Sequence, residues 1–327
     1  MCSPVTPQVV VIIANWNGRH LLPECMSALA VQTFRGFEIV VVDNGSQDGS
    51  VEWLADHAPA ARVIRNPVNA GFAAANNQGV RASSSPWVAT LNNDALPEPD
   101  WLQTLVDAAD QIEGAGMFAS KIVLRTPGGW LDSTGIEVDR AGVAWNRGWG
   151  ERDPGRETGR ADVFGPSAAA GLYRRSMLDR IGLFDEDLFA YYEDVDLAWR
   201  AQWAGWRCIY VPEARVQHIH SATGGQGTPF KNRLLGRNKW WVILKNYPFA
   251  SMARYIPAMV LIDLGAMLVA TLASRNLSPV SGRWAALRGW RKMWRKRREV
   301  QRHAHRPIDW RDVLSPIRLP IRRAECS

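Results

Sequence analysis

Val9-Val10-Val11-Ile12-Ile13-Ala14, running into Asn15-Trp16-Asn17-Gly18, is the stretch on which the fold turns. Its six apolar residues, five of them β-branched, are too few for an ordinary helix and suit a strand buried on both faces. The pattern recurs downstream. Residues 37–42, Glu38 apart, form a second such run ending in Asp43-Asn44-Gly45-Ser46, Val63-Ile64 is a third, and Trp87 to Leu91 is a fourth that meets Asn92-Asn93-Asp94. Helical periodicity fills 21–32, 51–57 and a segment through Asn76-Asn77 to about Ala82. Strand–helix alternation of this kind predicts an α/β protein with an open sheet. Ligands of such sheets sit beyond the carboxyl ends of the strands. Asn15, Asn17, Asp43, Asn44, Asn69 and Asp94 fall at those ends. Turn formation accounts for any one of them, but less well for Asp43 and Asp94, which close strands with no basic neighbour.

A second informative stretch is Phe184-Asp185-Glu186-Asp187, followed by Tyr191-Tyr192-Glu193-Asp194-Val195-Asp196-Leu197-Ala198-Trp199-Arg200. Solvated acidic runs do not carry so much apolar surface. Carboxylates held against a hydrophobic wall lose water and become bases or metal ligands, while others cap a helix. Asp196 is expected to cap a helix running through Trp203. Residues 128–163 are rich in Gly, Trp and Arg and lack periodicity, which predicts long loops with short strands. There Trp145 and Trp149 either hold an acceptor or anchor packing.

The 327 residues carry a formal net charge of +7, but unevenly. From Lys231 onward there are 21 Lys/Arg against 5 Asp/Glu, a net +16, and the preceding 230 residues hold 18 against 27, a net −9. Two segments with different partners follow. Four scattered cysteines (Cys2, Cys25, Cys208, Cys326) give neither a disulfide framework nor a zinc site and suit a reducing compartment. Residues 1–8 lack a charged n-region and read as the approach to a strand, not as a signal peptide.

Over residues 9–237 the chain resembles the family 2 glycosyltransferases, and within them the bacterial rhamnosyltransferase-type members. The likeness rests on an ordered series: Asn15-Trp16-Asn17, Gln32-Thr33-Phe34, Asp43-Asn44-Gly45-Ser46, Asn69-Ala70-Gly71-Phe72, Asn76-Asn77-Gln78-Gly79, Asn92-Asn93-Asp94, Arg174-Arg175, Gly182-Leu183-Phe184-Asp185-Glu186, Glu193-Asp194-Val195-Asp196, Pro212-Glu213-Ala214 and His218. The resemblance implies a GT-A, Rossmann-like open mixed sheet flanked by helices. It assigns the nucleotide-sugar donor to Asn15, Trp16, Asn17, Asp43, Asn44, Asn69, Gly71, Asn77, Asn93 and Asp94. Asp94 and His218 would hold Mg²⁺ or Mn²⁺, with Asn92 where the family carries Asp. Asp194 would be the catalytic base, Glu193 and Arg237 would meet the acceptor, and His220 would be incidental. Ala168 stands where relatives often have Gly, near the sugar pocket.

Past residue 230 the character changes. Lys239-Trp240-Trp241-Val242-Ile243-Leu244-Lys245 is an apolar patch between lysines, and residues 256–273 are mostly apolar but interrupted by Pro257, Asp263 and Gly265. A spanning helix wants about 20 apolar residues, so crossing is not favoured. Trp284, Leu287, Trp290 and Trp294 recur at helical spacing among Arg288, Arg291, Lys292, Arg295, Lys296, Arg297 and Arg298. This is the pattern of a basic amphipathic helix at a membrane interface; packing of the tail on the acidic segment is the competing expectation. No nucleic-acid-binding motif is present.

The expectation is therefore a glycosyltransferase domain over 1–230 and a basic, helical, membrane-associating extension over 231–327. It would be an inverting, metal-dependent enzyme that moves one sugar, L-rhamnose from dTDP-rhamnose, to a lipid-linked saccharide at the cytoplasmic face of a bacterial inner membrane. It would sit there peripherally, with a homodimer allowed. Two alternatives stand: a UDP-sugar donor such as UDP-galactofuranose, or a non-catalytic glycan-binding scaffold. No Gln-x-x-Arg-Trp motif follows the acidic pair, which favours single-sugar addition; Leu235-Gly236-Arg237-Asn238-Lys239-Trp240 is the nearest approach.

Overall fold

The computed structural model describes residues 7–155, 159–219, 228–302 and 310–318. Segment 1–6, His220, His303, His305, Cys2 and Cys326 lie outside them. The first half alternates β1 (Val9–Asn15), α1 (Leu22–Ala30), β2 (Phe37–Asp43), α2 (Ser50–His57), β3 (Arg62–Arg65), α3 (Phe72–Arg81) and β4 (Trp87–Leu91). There follow β5 (Ala95–Pro97), α4 (Trp101–Gln111), β6 (Ala115–Leu124), β7 (Leu131–Ser133), β8 (Ile136–Val138), β9 (Ala144–Asn146), β10 (Ala161–Val163), β11 (Ala170–Arg174), α5 (Arg175–Ile181), α6 (Glu193–Trp203) and β12 (Arg207–His218). A mixed sheet runs β10-β12-β6-β11-β4-β1-β2-β3, with β5 added to β12 and β7 to β6.

Strand β1 shows why the opening run is apolar throughout. Its residues alternate between faces, so Val9, Val11 and Ile13 join one core with Leu22, Leu54 and Leu105, while Val10 and Ile12 join the other with Ala73, Val80 and Leu197. The strand lies parallel between β2 and β4. Strand order therefore reverses beside β1, which makes the β1–β4 boundary the topological switch point.

Strand β12 runs through Pro212-Glu213-Ala214 to His218, and its register against β6 shifts between Val211 and Arg215. A bulge accommodates a proline that has no N–H to pair. Beyond it, His218 pairs with Ala95 of β5, the residue next to Asp94.

The basic segment forms α7 (Pro229–Asn246), α8 (Phe249–Ser274) and α9 (Ser278–Arg302), followed by the short helix α10 (Trp310–Val313). The expected boundary at 230/231 falls within the first turn of α7, which Thr228 caps by accepting the Lys231 N–H. Helix α8 runs unbroken through Pro257 and Gly265 and is long and apolar enough to cross a membrane. Its Asp263 is buried and accepts from Lys239 (2.8 Å), Trp240 (2.7 Å) and Arg283 (2.9 Å).

The tail is docked on the acidic segment. Lys245 bridges Asp185 (2.7 Å) and Asp196 (2.8 Å), while Lys292 meets Asp187 and Lys296 meets both Asp185 and Asp187. Asp196 accordingly does not cap α6. It is the fourth residue of that helix, fully buried, and binds Arg200, Lys245 and Asn246. Burial alone would raise its carboxyl, but Lys245 and Arg200 outweigh that and hold it below the usual carboxylate range.

Candidate active site

The polar strand ends converge at the switch point. The Asn15 amide donates to Asp43 (2.9 Å), and its carbonyl accepts from Asn93 (2.8 Å), joining β2, β1 and the β4 exit in one buried chain. Gly18 is required beside it, because a Cβ there would fall on the Asn15–Asn93 contact. The Asp43 carboxylate also accepts from the Ser46 hydroxyl (2.5 Å) and N–H (2.9 Å), which fixes the turn after β2. Asn17 accepts from the Gln47 N–H (2.8 Å), and Trp16 is exposed at the mouth. Asn44 spans to the Gly71 carbonyl (3.2 Å) and Asn66 (2.9 Å), while Asn69 accepts from the Gly71 N–H (2.9 Å). These contacts tie together the loops that follow β1, β2 and β3.

Asn77 lies apart from this group. Its amide clamps the acidic loop, accepting from the Phe184 N–H (3.0 Å) and donating to the Phe184 carbonyl (2.9 Å) and Glu186 (2.8 Å). The Arg237 guanidinium likewise reaches this loop, donating to the Asp187 and Leu188 carbonyls (3.1 and 3.0 Å), and lies over the Trp241 ring.

Beside the switch point, His218 Nε2 lies 3.0 Å from Asp94 and its Nδ1 2.5 Å from Asp132, all three side chains being buried. Burial works against a charged imidazole, yet the two carboxylates outweigh it and lift the ring to about 10. One carboxylate and one imidazole nitrogen are a fitting donor set for a divalent cation that keeps waters or phosphate oxygens as further ligands. Asp132 was not visible in the sequence: it sits on β7, 86 residues from His218, in a region without periodicity. Were His218 to ligate a cation, Asp132 would be the carboxylate that orients its imidazole. Asp132→Asn is expected to weaken Mn²⁺ affinity about 10–100-fold, measured by Mn²⁺ titration with nucleoside diphosphate present; unchanged affinity would remove Asp132 from this role.

The catalytic candidate is tied to the same point. The Asn92 N–H donates to the Ala169 carbonyl (2.9 Å), and the adjacent Ala168 N–H donates to Asp194 (3.2 Å), which also accepts from the Val195 N–H (2.8 Å). Burial raises the Asp194 carboxyl above its ordinary value, although these N–H groups oppose it. Glu193, 6% exposed, has one carboxyl oxygen without a partner. Burial, and then the charge of Asp194, push it well above its ordinary value. The folded state thus keeps a proton on Glu193 that the unfolded chain releases above about pH 4.3, so stability falls as pH rises from there toward the raised value. Glu193→Gln is expected to flatten the dependence of the melting temperature on pH between 5 and 8, with its gain over wild type largest at the alkaline end. An unaltered slope would mean that the linkage lies elsewhere.

The family model for glycosyl transferase family 2 matches residues 10–182. The N-acetylglucosaminyl-diphospho-decaprenol L-rhamnosyltransferase of Mycobacterium tuberculosis is 29% identical over 240 residues, 66% of this chain and 77% of that protein. Pre-mycofactocin glycosyltransferase of the same organism is 30% identical over 224 residues, 67% of this chain and 44% of its own length. An uncharacterised Sinorhizobium fredii protein is 30% identical over 278 residues, of which this chain spans 29% of the length. GalNAc-T7, crystallised with UDP, GalNAc and Mn²⁺, shares the fold at a TM-score of 0.56 and 17% identity, covering 72% of this chain and 50% of that one. A mannosyltransferase from Pyrobaculum calidifontis, in complex with GDP-Man and Mn²⁺, gives 0.50 and 19%, covering 89% and 88%. The architecture is GT-A-like, and a family match over more than half of the residues carries the assignment: the chain belongs to glycosyl transferase family 2 and is a glycosyltransferase.

Proposed function

We propose that the chain transfers one sugar with inversion, L-rhamnose from dTDP-rhamnose, to a lipid-linked saccharide at the cytoplasmic face of a bacterial inner membrane. The observation that carries this reading is the backbone link through Ala168 and Ala169, which ties Asp194 to the Asn92–Asp94 corner where Asp94 meets His218. Donor and acceptor follow the mycobacterial rhamnosyltransferase relative. Asp194 takes the proton of the acceptor hydroxyl as that oxygen attacks the anomeric carbon. The bond to the diphosphate breaks on the opposite face, and the nucleoside diphosphate leaves. Asp94 and His218 would hold Mg²⁺ or Mn²⁺, which when bound offsets charge on that leaving group. Lys231, whose ammonium lies 5.3 Å over the Tyr191 ring, adds a cation at this end of α7. The test is metal-dependent release of nucleoside diphosphate from a nucleotide-sugar panel, with and without polyprenyl-diphosphate-GlcNAc. Turnover of a UDP-sugar alone would replace the donor, and neither turnover nor binding across the panel would favour the scaffold.

The membrane reading rests on what α8 and α9 leave outside. Leu261, Leu264, Leu268 and Leu272 of α8 (Leu272 69% exposed) and Trp284, Leu287 and Trp290 of α9 (Trp284 58%) face out, whereas Trp294 packs on the core. Exposed Arg288, Arg291, Arg295 and Arg298 flank the aromatic stripe and suit an anionic lipid surface, at about 1 kcal/mol per basic residue. Asp263 favours lying in the interface over spanning: a crossing α8 would carry Lys239 of α7 and Arg283 of α9 to mid-depth with it. Replacing Trp284, Leu287 and Trp290 by Ala is expected to release the protein from phosphatidylglycerol vesicles in sedimentation; full retention would argue against this face.

A further inference from the structure

The backbone just ahead of Asp194 is held in conformations that its residues do not favour. Phe189 (φ 67°, ψ −66°), Tyr191 (φ 67°) and Tyr192 (φ 71°) all have positive φ without being glycine. Phe189 is the centre of a γ-turn of the uncommon positive-φ kind, closed by the Ala190 N–H on the Leu188 carbonyl (2.8 Å). Each such residue costs about 1–3 kcal/mol and persists only where surroundings over-determine it.

Those surroundings belong to α7. The buried Asn238 amide nitrogen shares its two N–H bonds among three carbonyls, Leu188 (2.9 Å), Ala190 (2.9 Å) and Tyr191 (2.7 Å), and its oxygen accepts from Arg237 Nε (2.8 Å). Arg237 closes on the Asp187 and Leu188 carbonyls from the same helix. The other side of the turn meets the donor loop. The Phe189 carbonyl accepts from the Ala73 N–H (3.1 Å), and Gly71, at φ 92°, leaves room where a Cβ would come within 2.7 Å of Phe189.

We infer that Asn238, supported by Arg237, is a positioning residue that holds this strained turn and so places Asp194 relative to the donor loop. The inference rests on Asp194 being the base. It also explains why part of the basic extension is inseparable from the catalytic unit.

The experiment uses full-length protein on vesicles, with dTDP-rhamnose and polyprenyl-diphosphate-GlcNAc, and amide hydrogen exchange on the same samples. Asn238→Ala is expected to lower kcat about 10²-fold, as a displacement near 1 Å does, with donor KM nearly unchanged. Exchange should quicken at Ala190 and Val195 and stay as in wild type across β1–β4. Wild-type kcat and exchange in a folded Asn238→Ala would overturn the proposal, as would losses of kcat and protection spread over the whole domain. If Asn238→Ala does not fold, Arg237→Gln decides. It removes only the outer bonds and should give the same pattern at smaller amplitude; no change in kcat or exchange would overturn the inference. Asp194→Asn runs alongside. Wild-type turnover there would sink the base assignment and leave the exchange arm to judge the clamp. If no donor turns over, the exchange pattern alone upholds or overturns the clamp.

Discussion

Asp194→Asn is expected to lower acceptor-dependent turnover about 10³-fold while donor binding stays near wild type. A positioned general base contributes about 10²–10⁴-fold, and Asp194 is held for that task by the Ala168 and Val195 N–H groups. The amide retains an oxygen for those donors but cannot take the hydroxyl proton, so the substitution tests chemistry more than fold. Burial raises the carboxyl above its ordinary value, which makes it a better base. In wild type kcat should therefore climb with pH through that raised value and level off once the carboxylate is formed; in Asp194→Asn this limb should vanish. Retention of the limb, or a loss under tenfold, would assign proton removal to another group.

Asp94→Ala is expected to abolish the response to Mn²⁺ and to lower turnover about 10²–10³-fold, since several kcal/mol of charge stabilisation are at stake. Asp94 is the carboxylate that His218 Nε2 faces, and Asp132 holds the other ring nitrogen. Without Asp94 the imidazole keeps its orientation but loses its partner ligand. In wild type, chelation should stop turnover and added Mn²⁺ should restore it. Direct Mn²⁺ titration with nucleoside diphosphate present separates lost affinity from lost fold, and Asp94→Asn provides a closer isostere. Saturable binding of wild-type strength in either variant would refute the ligand role.

The strands that the apolar runs foretold lie where they were read, because β1, β2 and β4 are buried on both faces and such strands cannot hide their composition. The switch point was legible for the same reason: Asn15, Asp43 and Asp94 stand at strand ends whatever the rest of the chain does. For Asn77 and Arg237 the structure adds contacts that no motif reports, to the acidic loop. A polar residue in a motif reads alike whether its hydrogen bonds go to a ligand or to a neighbouring loop, and only packing decides which.

Asp132 had no sequence signal, since its role depends on β7 crossing the end of β12. Packing of the tail on the acidic segment was one of two expectations, but which basic charges go there was closed to view. Lys245, Lys292 and Lys296 neutralise Asp185, Asp187 and Asp196, whereas Arg288 and Arg291, a few residues away, remain outside. Composition gives a helix its charge, but tertiary contact alone divides that charge between the protein and its surroundings. By itself the sequence determined the strand–helix frame and the family, and it marked Asp94 and Asp194 as candidates, because each rests on local pattern. Only the tertiary structure decided that Asn238, from a segment read as a separate extension, meets the carbonyls of the turn ahead of Asp194. That contact joins backbone carbonyls to an amide about fifty residues away, a pairing that leaves no periodic trace in the chain.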